Sequence, residues 1–169
     1  MPAALAAIAV LMLAGAAPAA ATRHLWATVN VCDTAAHPDM MGVRGRMPGD
    51  GTRARMFMRF NAQYLSGRTW VDVGGRGTSP WLSAGSAEFV YREIGYTFEF
   101  RPPPAGTGYD MRGRATFEWR ERRRVHGRVR WVVVKRRRAV TAAGHRSADA
   151  DPVDFTAATC RVATDAAAP

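Results

Sequence analysis

The side chains that could do chemistry are present in this chain but scattered. Four histidines, His24, His37, His126 and His145, stand in no HExxH, HxH or Cys-His arrangement, so the spacing that would hold zinc is missing. His37, Met40, Met41 and Met47 cluster around one turn, and imidazole with thioether is a donor set suited to Cu(I). Yet Met41, Met47, Met56 and Met58 fall at alternating positions, where methionine serves as a filler of core gaps. Ser79 before Pro80 and Ser83 near Gly85 lie in no GxSxG elbow and have no base beside them. Glu88, Glu93, Glu99, Glu118 and Glu121 are spread along strand-like segments, where solvent-facing charge is the ordinary outcome, and form no acid and base pair. Asp149, Asp151 and Asp154 alternate as in oxygen-rich calcium loops, but neither the glycine nor the terminal glutamate of such a loop completes them. No catalytic residue, metal ligand or cofactor is assigned. The expected protein is not an enzyme, and an enzyme or copper carrier is kept only as a third reading.

One functional group is abundant. Arg120, Arg122, Arg123 and Arg124 precede a His-Gly pair, and Arg128 and Arg130 follow it, with Lys135 to Arg138 further back. Guanidinium forks bind phosphate and carboxylate bidentately, so this cluster is the candidate for docking an anionic polymer. The plainer reading is an edge hairpin kept from aggregating by its charge. The net charge is +10, from 24 basic and 14 acidic residues, and Lys135 is the single lysine. So lopsided a use of arginine fits a GC-rich coding bias and is weak support for nucleic-acid binding. The aromatic residues, moreover, are expected to alternate into a core and leave no stacking platform, so no specific nucleic acid is expected as partner.

The arginines belong to two long strands. From Tyr109 onward, Met111, Ala115, Phe117 and Trp119 alternate with Arg112, Arg114, Glu118 and Arg120, a period of two with one apolar face. Val129 to Val134 is nearly continuous in β-branched residues around Trp131, and His126-Gly127 supplies the turn between the limbs. This hairpin is expected at the centre of the fold. Upstream, Leu25 to Val31 reads as a first strand ending near Cys32. Met41, Val43, Gly45 and Met47 form a second apolar face, and Met56, Met58, Phe60, Ala62 and Tyr64 a third. Pro48-Gly49-Asp50-Gly51 lies between the second and third, which are expected to pair as a hairpin. A short strand over 69–73 precedes the glycine-rich stretch 74–80, and Trp81 is expected to pack back as a plug. Residues 87–101 read as one strand, or two broken at Gly95, with Val90, Ile94, Tyr96, Phe98 and Phe100 on one face. Pro102-Pro103-Pro104 ends it. Residues 142–154 read as a loop, Phe155 to Val162 as the last strand and 163–169 as a disordered tail.

Outside the N-terminus no segment of useful length has helical spacing, which makes the chain all-β. Its 169 residues suit one domain, over 22–162. Residues 1–21 carry no charged side chain and close on Ala19-Ala20-Ala21, as a cleaved secretory signal does, so the product is expected to be secreted or associated with the cell envelope, with no membrane span after cleavage. Two cysteines in an exported chain usually pair, and a disulfide between Cys32 and Cys160 is expected.

Tyr109, opening a strand after a proline-rich corner in the pattern Y-x-M-R-x-x-A-x-F-x-W, resembles the penultimate strand of immunoglobulin-like and fibronectin-III-like sandwiches. With the MRF of Met58 to Phe60, the FEWR of Phe117 to Arg120, Thr141 and a late cysteine, the chain is similar to exported Ig-like domains common in actinobacteria. The resemblance implies an antiparallel β-sandwich of about seven to nine strands and a buried tyrosine corner at Tyr109. Met111 stands where an antibody domain has its second cysteine, so the Cys32 to Cys160 pair is a different staple. The function expected is a non-catalytic module that binds, or has a structural role, at the envelope, its partner an unidentified envelope component or protein. The alternative is an electrostatic binder of anionic polymers or lipid surfaces through the arginine-rich hairpin.

Overall fold

The computed structural model describes residues 25–164. The expected signal segment, residues 1–21, lies outside them, as does His24. Nine strands follow one another: β1 (Trp26–Thr34), β2 (His37–Pro48), β3 (Arg55–Ser66), β4 (Thr69–Asp72), β5 (Leu82–Ser86), β6 (Tyr91–Glu99), β7 (Gly108–Val125), β8 (Arg128–Val140) and β9 (Cys160–Ala163). A three-residue 3-10 turn, Gly75–Gly77, is the only helical element among the described residues. The chain is thus all-β, and every pairing between strands is antiparallel.

The strands make two sheets. One has three strands in the order β1-β2-β6; the other has six, organised around β3 and β7. β7 pairs with β3 along one edge, from Met111 to Arg120, and along the other with β9 and then β8. β3 takes β5 near its start and β4 near its end. The hairpin of β7 and β8 closes at His126 and Gly127, whose φ angles of 48° and 75° are both left-handed, as a two-residue connection between twisted strands demands. Pairing then runs unbroken from Val125 with Arg128 to Arg120 with Val133, after which one extra residue in β8 makes a bulge before Trp119 pairs with Lys135.

The core fills the space between the sheets. Val29, Met41, Val43, Met47 and Phe98 come from the smaller sheet; Met56, Met58, Phe60, Ala62, Met111, Ala115, Phe117 and Trp119 come from β3 and β7. All of these are buried, which accounts for the period of two in each strand. At Gly113 the central strand meets Val43 of the smaller sheet closely. A Cβ there would lie 2.7 Å from Val43 Cγ2 and 2.9 Å from Thr141 Cγ2, so this place in the central strand must lack a side chain.

The expected hairpin of the second and third strands does not form. Instead β2 pairs with β1 and β6, β3 pairs with β7, and the two lie in different sheets with their methionines meeting across the core. An alternating apolar face is satisfied equally by a neighbour in one sheet and by a strand of the opposite sheet, so the pattern alone did not choose. The connection decides. Gly49 donates to Val90 O at 3.0 Å and Asp50 to Ala87 O at 3.0 Å, which carries the chain across from one sheet to the other.

Three boundaries also move. Val90 is exposed before β6 begins, and Tyr64 is more than a third exposed where β3 outruns the smaller sheet. The last strand is only Cys160–Ala163, and Phe155 to Thr159 precede it as irregular chain. Ala163 and Thr164, placed in the expected tail, are ordered by pairing: Gly106 donates to Thr164 O at 3.1 Å and Thr164 to Thr107 O at 3.3 Å.

The loop before β9 seals the second edge of β1. Val29 and Ala157 exchange backbone hydrogen bonds at 3.0 and 3.1 Å, Ala142 donates to Ala27 O at 2.9 Å, and Asp151 donates to Asn30 O at 2.9 Å. Thr28 and Asn30 are buried beneath it, Thr28 Oγ1 lying 2.6 Å from Thr156 Oγ1 and Asn30 Nδ2 donating to Asp149 O at 3.0 Å. Beside this seam Cys32 and Cys160 form the expected disulfide, with their Cα atoms 5.3 Å apart.

Candidate anion-binding face

Because side chains alternate along each strand, the residues that β3, β7 and β8 do not bury in the core share the outer face of the six-stranded sheet. The register sets them in rows: Arg55 beside Arg120 and Val133, Phe57 beside Glu118 and Arg136, Arg59 beside Thr116 and Arg138, Asn61 beside Arg114 and Val140. This face carries arginine on all three strands.

One carboxylate organises the middle of it. Glu118 is 1% exposed although it points away from the core. Arg120 donates through Nε to its Oε2 at 2.7 Å, and Arg136 donates through Nε to its Oε1 at 2.6 Å, so each oxygen is held by a different strand. The guanidinium of Arg120 lies 4.4 Å from the ring centres of both Phe57 and Trp81, within cation–π distance. Trp81 does pack back, as its place after the glycine-rich stretch predicts, but against the outside of the sheet. Ser79 anchors that segment: its Oγ accepts from Phe60 N at 2.9 Å and donates to Pro80 O at 2.8 Å, a structural use of the hydroxyl.

Beside this clamp lies a trough of about 330 Å³, lined by Arg59, Arg114, Arg136, Arg138, Trp81, Thr116, Thr78 and Asn61 together with the clamped Glu118. Arg59 is steadied by donation from Nε to Ser79 O at 3.1 Å, and Arg114 by an ion pair with Asp72 at 2.7 Å. Arg138 is exposed and pairs with no carboxylate among the described residues. Further along, Arg112 lies 4.5 Å over Trp70 and donates to Gln63 Oε1 at 2.8 Å. Burial, and secondarily the neighbouring charge of Arg114, lowers the Arg112 pKa.

The six arginines singled out in the sequence divide between two roles. Arg120 is engaged by Glu118 and the two aromatic rings, and Arg123 by Glu121 at 2.9 Å. Arg122, Arg124, Arg128 and Arg130 are exposed around the hairpin tip, Arg122 across from Trp131 with its guanidinium 6.0 Å from that ring. Arg59 and Arg114 sequence reasoning passed over as a site, and Arg136 and Arg138 it placed only at the back of the hairpin cluster. The signal was present in their even or odd positions, but only the register of β3, β7 and β8 shows that three strands point them the same way. The aromatic residues also correct an expectation: Phe57, Trp70, Trp81 and Trp131 lie outside the core. Three of those rings are nevertheless covered by arginine, so they do not form an open platform for bases.

Tyr109 is not a buried corner. It is 41% exposed and pairs in register with Val162 of β9, and its hydroxyl has no hydrogen-bond partner among the described residues. The proline-rich corner here leads into a strand flanked by the chain's own C-terminal strand, which leaves the ring at the surface.

The remaining groups form no competing site. Met41 and Met47 are fully buried, out of reach of His37 at the surface. Asp149 pairs with Arg44, Asp154 with Arg146, and Asp151 accepts from Thr34 Oγ1, so the three carboxylates are used separately. No group of three or more histidine, cysteine or acidic side chains among the described residues could hold a metal ion. His145 stacks on Trp26 with ring centres 4.8 Å apart, and burial, aided by Arg46, lowers its pKa. A larger hollow of about 800 Å³ is lined by residues of β6 and of the Gly75–Gly77 turn, among them Tyr96, Phe98 and Phe100, but its charges, Arg76, Arg101 and Glu99, are mixed in sign. The smaller trough concentrates one chemistry and is the stronger candidate. Neither models of known protein families nor curated proteins match this chain.

Proposed function

We propose that the protein is an exported, non-catalytic binding module of the cell envelope that docks an anionic polymer on the outer face of its six-stranded sheet. The observation that carries this reading is the alignment of Arg59, Arg114, Arg136 and Arg138 around one polar trough, continuous with the exposed arginines of the hairpin tip. Guanidinium groups held by neighbours lose less freedom on binding than solvated ones, which favours oxyanion recognition. The disulfide and the signal-like residues 1–21 support export. Two antiparallel sheets around one core support an Ig-like relationship; the three-and-six division of strands and a staple between the first and last of them depart from an antibody domain.

The test is retention of the purified domain on heparin and on a teichoic-acid matrix at physiological salt. Wild type is retained, and a variant with Arg122, Arg124, Arg128 and Arg138 replaced by serine elutes early while its stability stays within about 1 kcal/mol, since exposed charges contribute little stability. Wild type in the flow-through at that salt removes the docking reading and leaves the charge as a solubility device.

A further inference from the structure

We infer that the cross-strand row Arg59, Thr116 and Arg138 is a discrete oxyanion subsite, and that the polymer it serves is an anionic polysaccharide. The inference rests on the docking reading above and narrows it to one place and one ligand class.

The geometry of the row comes from strand register. Thr116 of β7 lies directly opposite Arg59 of β3 on one side and Arg138 of β8 on the other. Neighbouring strands are about 4.8 Å apart, so the backbones that carry the two arginines lie roughly 10 Å apart with one hydroxyl between them, a gap that two long guanidinium side chains can close around a sulfate, phosphate or carboxylate. Next along each strand, Glu118 already holds Arg120 and Arg136, and it leaves no free carboxylate oxygen to repel an incoming anion. Arg59 is oriented by the Ser79 carbonyl, and Arg138 is exposed and pairs with no carboxylate among the described residues, so the row has one fixed arm and one free to close.

The ligand class follows from what else lines the trough. That lining includes a hydroxyl and an amide: Asn61 donates from Nδ2 to Thr78 Oγ1 at 2.8 Å, which leaves the Asn61 carbonyl oxygen and the Thr78 hydroxyl proton to meet sugar hydroxyls. A volume of about 330 Å³ is of the order of one or two pyranose rings and shallow for an acyl chain. A lipid surface would need a wide apolar contact area, and here Trp81 is the one apolar side chain among arginines, threonines and asparagine. Nucleic acid would need open aromatic faces, but Arg120 covers Phe57 and Trp81.

Calorimetric titration with a heparin-derived hexasaccharide, a hyaluronan hexasaccharide and a single-stranded oligonucleotide of equal charge tests this on the full mature chain. Arg138→Ala is expected to weaken the better of the two glycans at least tenfold and Thr116→Val about threefold, while Arg124→Ala at the hairpin tip changes binding less than twofold. Arg138 and Arg124 are exposed and Thr116 is half-buried on the outer face, and unchanged thermal midpoints confirm that the fold is intact. Equal losses in Arg138→Ala and Arg124→Ala would show a diffuse patch and overturn the subsite while sparing the docking reading. An oligonucleotide that binds as tightly as either glycan overturns the polysaccharide assignment. No binding of any probe by wild type overturns both.

Discussion

Glu118 and Arg136 face each other across the β7–β8 pair, joined at 2.6 Å through Nε and 2.5 Å through Nη2, and they lock the hairpin's outer face to a carboxylate that solvent does not reach. Arg120 completes the clamp from the same strand as Glu118. Glu118→Gln keeps the shape and removes the charge, leaving two guanidinium groups over a neutral amide. Charge-assisted hydrogen bonds are worth about 1.5–3 kcal/mol, and Arg136 is half exposed, so a loss of about 2 kcal/mol is expected in urea denaturation. A change below about 0.5 kcal/mol would mean that stacking alone holds the arginines.

Reduction of the disulfide between Cys32 and Cys160 frees a loop closed over a sequence separation of 128 residues. On the chain-entropy account this costs about 4–5 kcal/mol, a large part of the stability of a domain this size. The Cys32→Ser, Cys160→Ser double variant is expected to lower the thermal midpoint by 10 °C or more, on the order of what such a cost implies. An identical midpoint with and without reductant would show that the sealed edge of β1 holds by backbone pairing alone.

Gly113→Ala places a methyl group against Val43 and Thr141 at distances real Cβ contacts essentially never show. Overpacking of this kind costs about 1–3 kcal/mol because the sheets must separate. The expected signature is a lowered midpoint partly restored by adding Val43→Ala, and a double-mutant cycle measures it. Additive effects of the two substitutions would place the strain elsewhere.

His145 gives a pH dependence whose sign follows from its burial against Trp26. The folded pKa is lowered, so the unfolded chain takes up its proton first as pH falls below about 6.5. Its contribution to stability is therefore full above that pH and declines as pH drops toward the lowered value. A His145→Gln variant is expected to flatten the midpoint profile between about pH 7 and 5. An unchanged slope in the variant would assign the acid response to the carboxylates.

The central hairpin was legible because local signals agree there: the alternation from Met111 to Trp119, the His126-Gly127 turn and the β-branched return limb all specify one structure. Sheet membership was not, since Met47 and Met56 bury equally well as neighbours or as opposed strands, and only the bonds from Gly49 and Asp50 to Ala87 and Val90 distinguish the two. The tip arginines could be read from their density in the sequence. The trough could not, because Arg59 and Arg138 are 79 residues apart and come together only through the register of two strand pairs with β7. Tyr109 misled for a related reason. A corner motif specifies how a strand begins, whereas β9, from the far end of the chain, decides what covers it.

The seam along β1 also sets the time at which this molecule becomes a folded object. The second edge of β1 is bonded to residues 142, 151 and 157 and its end is stapled to Cys160, so the earliest strand waits for the latest segment of the described chain. The β7–β8 hairpin is local and closes on a scale of microseconds, but contacts across more than a hundred residues are slow to find. The hairpin can therefore form while the core is still open, and the sandwich closes only once the segment from 142 to 160 is free to lie along β1.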